Sequence, residues 1–164
     1  MKRFWAFVIA GSMLLAIPAV SGFSQVATFN AFLTPGVAVP AVAANTPAGA
    51  HGVAVLALSA DRTQLAYSIT YSGLSGTPRN AHFHRAPLGQ GGGVVRTICG
   101  GPTTPQTPSS CPSGTSGTLS GVWARTDQQP FTQELLDVLL AGGLYINFHT
   151  ELNGSGEIRG QIMP

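Results

Sequence analysis

The chain predicts an all-β fold, an immunoglobulin-like, Greek-key sandwich or barrel carrying one short helix. Three observations point there. Short runs in which apolar and polar residues alternate recur along the sequence, the period-2 signature of half-buried strands. Glycine and proline contribute 21 and 12 of the 164 residues, a composition suited to many tight turns. Only one stretch, 131–141, spaces its apolar residues as a helix does.

Val26 to Leu33 alternates loosely and opens the series as a first strand. Thr34 to Gly49 contains Pro35, Pro40 and Pro47 and reads as an extended connection, because proline cannot donate into a ladder. Val53–Ser59, the turn Asp61-Arg62-Thr63 and Leu65–Tyr71 form the clearest hairpin, with Leu65, Tyr67, Ile69 and Tyr71 on one face. Ala81–His84 and Val94–Cys99 follow as short strands around a glycine cluster at 89–93. Gly117–Ala124 places Leu119, Gly121 and Trp123 on one face. In the helix, Phe131, Leu135, Val138 and Leu139 make the apolar stripe, Thr132 supplies the N-cap, and Gly142-Gly143 stops it. Leu144–Thr150 and Glu157–Met163 close the chain as two strands joined around Asn153-Gly-Ser-Gly156. No internal repeat occurs at a fixed period.

The first 24 residues read as a signal peptide. Lys2 and Arg3 precede an apolar run from Phe4 to Val20, and small residues follow at Ala19, Ser21, Gly22 and Ser24. Residues 25–164 then form one domain, long enough for one core. Lys2 is the only lysine, and without Lys2 and Arg3 the eight basic residues fall to six, matching the six acidic ones. A balanced chain gives no basic surface for nucleic acid. No second apolar stretch is long enough to hold the cleaved chain in a bilayer. Cys99 and Cys111 are the only cysteines. In a secreted or periplasmic chain they are expected to pair, closing a Gly/Pro/Thr/Ser-rich loop. No histidine stands near them at zinc-ligand spacing.

The chemistry gathers on the polar face of the alternating runs. In Ala81-His-Phe-His84, Ile146-Asn-Phe-His149 and Gly156-Glu-Ile-Arg-Gly-Gln-Ile162, residues Phe83, Ile146, Phe148, Ile158 and Ile162 face the core. His82, His84, Asn147, His149, Glu157, Arg159 and Gln161 then share the opposite, outer face. His82 and His84 stand about 6.5–7 Å apart along one face. With His149 from a neighbouring strand they form a candidate mononuclear Cu or Zn site, with Asn147 or Glu157 orienting the rings. The competing reading is a hydrogen-bonded structural layer in which the His-x-His run, Glu157 and Arg159 join the sheet edge to a loop; Glu157 and Arg159, spaced for partners on adjacent strands, are also expected to make cross-strand charge pairs.

Other constellations carry less. No serine sits in a strand–turn–helix elbow, and Gly114-Thr-Ser-Gly117 lies in a low-complexity loop. Glu134 and Asp137 fit the solvated face of the helix. Gly89-Gln-Gly-Gly-Gly93 lacks the Lys-Ser/Thr and the helix of a phosphate loop. Asn153-Gly-Ser155 fits a glycosylation sequon but is read as an ordinary hairpin turn.

Four blocks of the chain resemble the CHRD domain family, common in exported bacterial proteins. They are Phe29-Asn-Ala-Phe-Leu with Val39-Pro; the Gly52-to-Leu74 hairpin ending Tyr71-Ser-Gly-Leu; Ala81-His-Phe-His-Arg-Ala-Pro87 with Val94-Val95; and Gly143-Leu-Tyr-Ile-Asn-Phe-His-Thr150 with Gly156-Glu-Ile-Arg-Gly-Gln161. Arg85, where family members often carry glycine, and the Cys99–Cys111 loop depart from the pattern. The family is similar in architecture to Cu/Zn superoxide dismutase, whose copper ligands include a His-x-His strand. A binuclear dismutase site cannot be assembled here, since His51 is the only remaining histidine and no histidine- and aspartate-bearing loop lies between Gly89 and Cys111. The resemblance implies fold more than function. The expectation is a secreted or periplasmic, non-catalytic binding or structural module for an extracellular protein or surface ligand. Its competitor is the mononuclear metal protein built on His82, His84 and His149.

Overall fold

The computed structural model describes residues 24–101 and 110–164; the expected signal peptide, all but its last residue, and residues 102–109 of the cysteine loop lie outside them. Eight strands form two four-stranded antiparallel sheets. The first sheet is ordered β1 (Gln25–Leu33), β2 (His51–Ser59), β3 (Gln64–Ser72), β6 (Gly117–Ala124). The second is ordered β5 (Val94–Cys99), β4 (Asn80–Arg85), β7 (Leu144–His149), β8 (Ile158–Gln161). The chain changes sheet after β3, after β5, and again after β6 through the helix α1 (Gln133–Leu140). Two isolated bridges, Asn30 with Met163 and Thr34 with Arg159, fasten the β1 edge to β8. No continuous ladder joins these edges, so the fold is a sandwich and not a closed barrel.

The core follows from the alternation. Phe29, Ala31 and Leu33 of β1 and Leu65, Tyr67, Ile69 and Tyr71 of β3 meet Phe83, Ile146, Phe148 and Ile158 from the second sheet, all buried. Tyr67 meets Phe83 edge-on, and Phe83 stacks on Trp123, which in turn packs against Phe131. β6 contributes little bulk beside the tyrosines. Its Gly117 and Gly121 pair with Tyr71 and Tyr67, and a Cβ at Gly121 would come within 2.5 Å of the Tyr67 hydroxyl. Small residues there let the two rings lie across the strand.

The helix is shorter than its apolar stripe suggests. Thr132 caps it, its hydroxyl accepting from the Leu135 amide at 3.2 Å, so Phe131 lies outside the helix yet fully buried. Gly142 turns the chain back with φ of 69°. Cys99 and Cys111 are bonded, their Cα atoms 5.0 Å apart.

One core feature has no signal in the alternation. Arg96 registers opposite Phe83 and is fully buried, its guanidinium 2.8 Å from Asp127. Asp127 also accepts from the Ala124 amide, which closes the turn after β6.

A buried three-histidine centre

The second sheet turns its other face to two loops. β4 supplies His82 and His84, β7 supplies Tyr145, Asn147 and His149, and β8 supplies Arg159 and Gln161. Register places Asn147 beside His82, and Tyr145 between His84 and Gln161. The alternation therefore assigns the face correctly, but this face is not displayed to solvent. His82, His84 and His149 are only 7%, 7% and 8% exposed, and Asn147, Glu157 and Arg159 are buried more deeply. Segments 86–93 and 150–157 fold over them, held by the polar face itself.

Each loop reaches an imidazole through a carbonyl. His84 Nδ1 lies 2.9 Å from the Gly92 carbonyl and His149 Nδ1 lies 3.1 Å from that of Gly154. A carbonyl only accepts, so both Nδ1 atoms carry the proton and both Nε2 atoms keep a lone pair. His84 Nε2 is buried without any hydrogen-bond partner. His82 Nδ1 faces His149 Nε2 at 3.3 Å. One nitrogen from each ring lies within 4.8 Å of the other two. Two nitrogens bound to one ion at about 2.0–2.1 Å and a tetrahedral angle stand roughly 3.3 Å apart, the spacing of the His82–His149 pair, so a shared ion would require the third ring to close in from the 4.8 Å spread.

Burial also sets the charge of the rings. Desolvation, then the neighbouring His149 and His84, push the His82 pKa down to about 4. Burial lowers His84 and His149 as well, against the opposing effect of their carbonyl bonds. Neutral imidazole is the form a metal requires.

Around the centre, several expected roles are redistributed. Among the described residues Glu157 and Arg159 form no charge pair, with each other or across strands. Glu157, fully buried, accepts from the Ser75 amide, the Ser75 hydroxyl and the Thr150 hydroxyl at 2.7, 2.5 and 2.5 Å. Arg159 stacks over the Tyr145 ring at 3.6 Å and donates to the carbonyls of Gln90 and Pro87 and to Gln161. Two residues apart on one face, each side chain reaches the loop nearest its own end of the strand, and the loops supply better-placed partners. Neither Glu157 nor Asn147 orients an imidazole; Asn147 donates to the Ser155 carbonyl instead. The orienting groups are the loop carbonyls and Tyr145, which stacks on His84 with the rings 9° from parallel.

His51 is exposed on the first sheet and bonds to the Gly49 carbonyl, apart from the other three histidines. Arg85 points outward and pairs with Glu134 of the helix, so it does not shape the centre. Asn153 is buried, its side chain engaged by Thr46 and the Ala43 amide, which makes it a turn anchor.

A two-sheet antiparallel sandwich with a loop-covered polar centre on one outer face defines the class. The chain belongs to the CHRD domain family, whose family model matches residues 29–162, from β1 to just past β8. No curated protein and no solved structure matches the chain. Membership in this family supports a non-catalytic module. Among the described residues no helix is long and apolar enough to cross a membrane.

Proposed function

We propose that this chain is an exported, non-catalytic binding module, and that its ligand is a single copper or zinc ion held by His82, His84 and His149. One observation carries the reading. Three buried imidazoles bring a nitrogen each within 4.8 Å, and His84 Nε2 among them has no partner. Leaving a buried polar atom unpaired costs about 1–3 kcal/mol, which a metal bond would offset. The bonded cysteines, the leader-like start and the family support export. A non-catalytic role is supported by Glu157, the buried carboxylate of this face, whose oxygens are committed to Ser75 and Thr150.

The test is metal retention. The purified chain is stripped, equilibrated with Cu or Zn, freed of excess ion and assayed for bound metal. One ion per chain is expected, lost in His82→Ala, His84→Ala and His149→Ala and kept in His51→Ala. A wild-type chain that retains no metal leaves the three histidines as a structural layer beneath the loops.

A further inference from the structure

We propose that the three-histidine centre selects a monovalent ion, and that its physiological charge state is copper(I). The inference rests on the metal reading above and adds the charge that the pocket tolerates.

All three candidate ligands are neutral imidazoles, and no carboxylate stands among them. An ion taken from water into a buried site pays a desolvation cost that rises as the square of its charge, about fourfold from a monocation to a dication. Divalent sites offset this with a ligating carboxylate or a bound hydroxide. The carboxylate on this face, Glu157, spends its oxygens on Ser75 and Thr150.

The nearby unpaired charge has the wrong sign for a dication. Arg159 is 1% exposed, donates to no carboxylate among the described residues, and leaves its Nε without a hydrogen bond. Its guanidinium lies on Tyr145, and Tyr145 stacks on His84. The guanidinium carbon lies 3.6 Å from the Tyr145 ring centre, and that centre lies 4.8 Å from the His84 ring centre, so at most one stacked ring separates the cation from His84. At such a separation in a protein interior the repulsion weakens binding about tenfold for a monocation, and by the square of that, about a hundredfold, for a dication.

The experiment compares ions of different charge on the same chain. Cu(I) under anaerobic conditions is titrated against a chromophoric Cu(I) chelator, and Zn(II) against a Zn(II) indicator. The same titrations are run on Arg159→Gln and on Asn147→Asp, which places a carboxylate beside His82. The wild-type chain is expected to hold one Cu(I) at least about tenfold more tightly than Zn(II), the ratio of the two penalties. Each variant should raise Zn(II) affinity by roughly the square of its effect on Cu(I). Arg159 also anchors the 86–93 loop, so Asn147→Asp carries the comparison if Arg159→Gln does not fold. Zn(II) bound as tightly as Cu(I), or variants that shift both ions by the same factor, would overturn the charge selection while leaving the metal site standing. A chain that binds neither ion overturns both.

Discussion

The imidazole of His84 is clamped between the Gly92 carbonyl at its Nδ1 and the ring of Tyr145 on its face. Tyr145 is itself tied to the same loop, its hydroxyl accepting from the Gly92 amide at 3.1 Å. Gly92 therefore governs one ligand through two contacts. A Cβ at this position would lie 1.9 Å from the Arg85 carbonyl, a backbone atom that cannot swing aside. Gly92→Ala is expected to displace the loop and weaken metal binding by at least about tenfold, because ligand-orienting contacts typically carry that much. Gly93→Ala, whose Cβ meets nothing within 4 Å, should leave it unchanged. Metal affinity measured side by side for the two variants checks the claim.

Acid should destabilise the chain through the same histidines. An unfolded histidine titrates near 6.5, whereas burial holds His82 down to about 4. Between these values the unfolded chain takes up a proton that the folded chain refuses, so stability falls as pH drops from 6.5 to about 4 and is level above 6.5. His84 and His149 are shifted in the same direction and add to the loss. Urea midpoints of the metal-free chain across this range should fall, and His82→Asn should shallow the decline. A midpoint independent of pH in this window would contradict neutral, buried rings.

The Arg96–Asp127 pair offers a separate prediction. Both side chains are withdrawn from water at 0% and 7% exposure, and the Arg96 Nε and terminal nitrogens make no aligned hydrogen bond despite the 2.8 Å approach to Asp127. Removing one partner strands a buried charge. Asp127→Asn should cost about 3–5 kcal/mol in urea unfolding, and adding Arg96→Met should restore most of it, since a well-packed apolar pair is often no worse than a buried ion pair. A double variant no more stable than the single one would refute this account.

The contrast between Phe83 and Arg96 shows where sequence reasoning succeeds and where it stops. The strands were legible because one face of each is apolar, and β6 agrees residue for residue with the run 117–124. The histidine face was legible for the same reason, since a period of two puts His82, His84 and His149 together once β4 and β7 pair. Their burial was not legible, because loops cover them and loop paths carry no periodic signal. Gly89–Gly93 reads as a flexible loop, yet its carbonyls hold His84 and Arg159. Arg96 breaks the rule that charged residues face out, and only its distant partner Asp127 explains it. The Glu157–Arg159 expectation failed similarly: strand spacing gives the face, while partners arrive from segments as remote as Ser75.

The Cys99–Cys111 bond should contribute stability without contributing to the centre. It joins the end of β5 to the segment leading into β6 across a sequence separation of 12, thereby tying the two sheets where the chain crosses between them. Both cysteines belong to the buried core cluster, and neither is among the clustered metal-ligand candidates. Closing a loop of this length removes unfolded-state freedom worth about 3 kcal/mol. Reduction, or the paired substitution Cys99→Ser with Cys111→Ser, is expected to lower unfolding stability by about that amount while the folded chain still binds one metal ion. Loss of metal from a folded, reduced chain would instead make the bond part of the site, since Cys99 pairs with Ala81, the neighbour of His82 on β4.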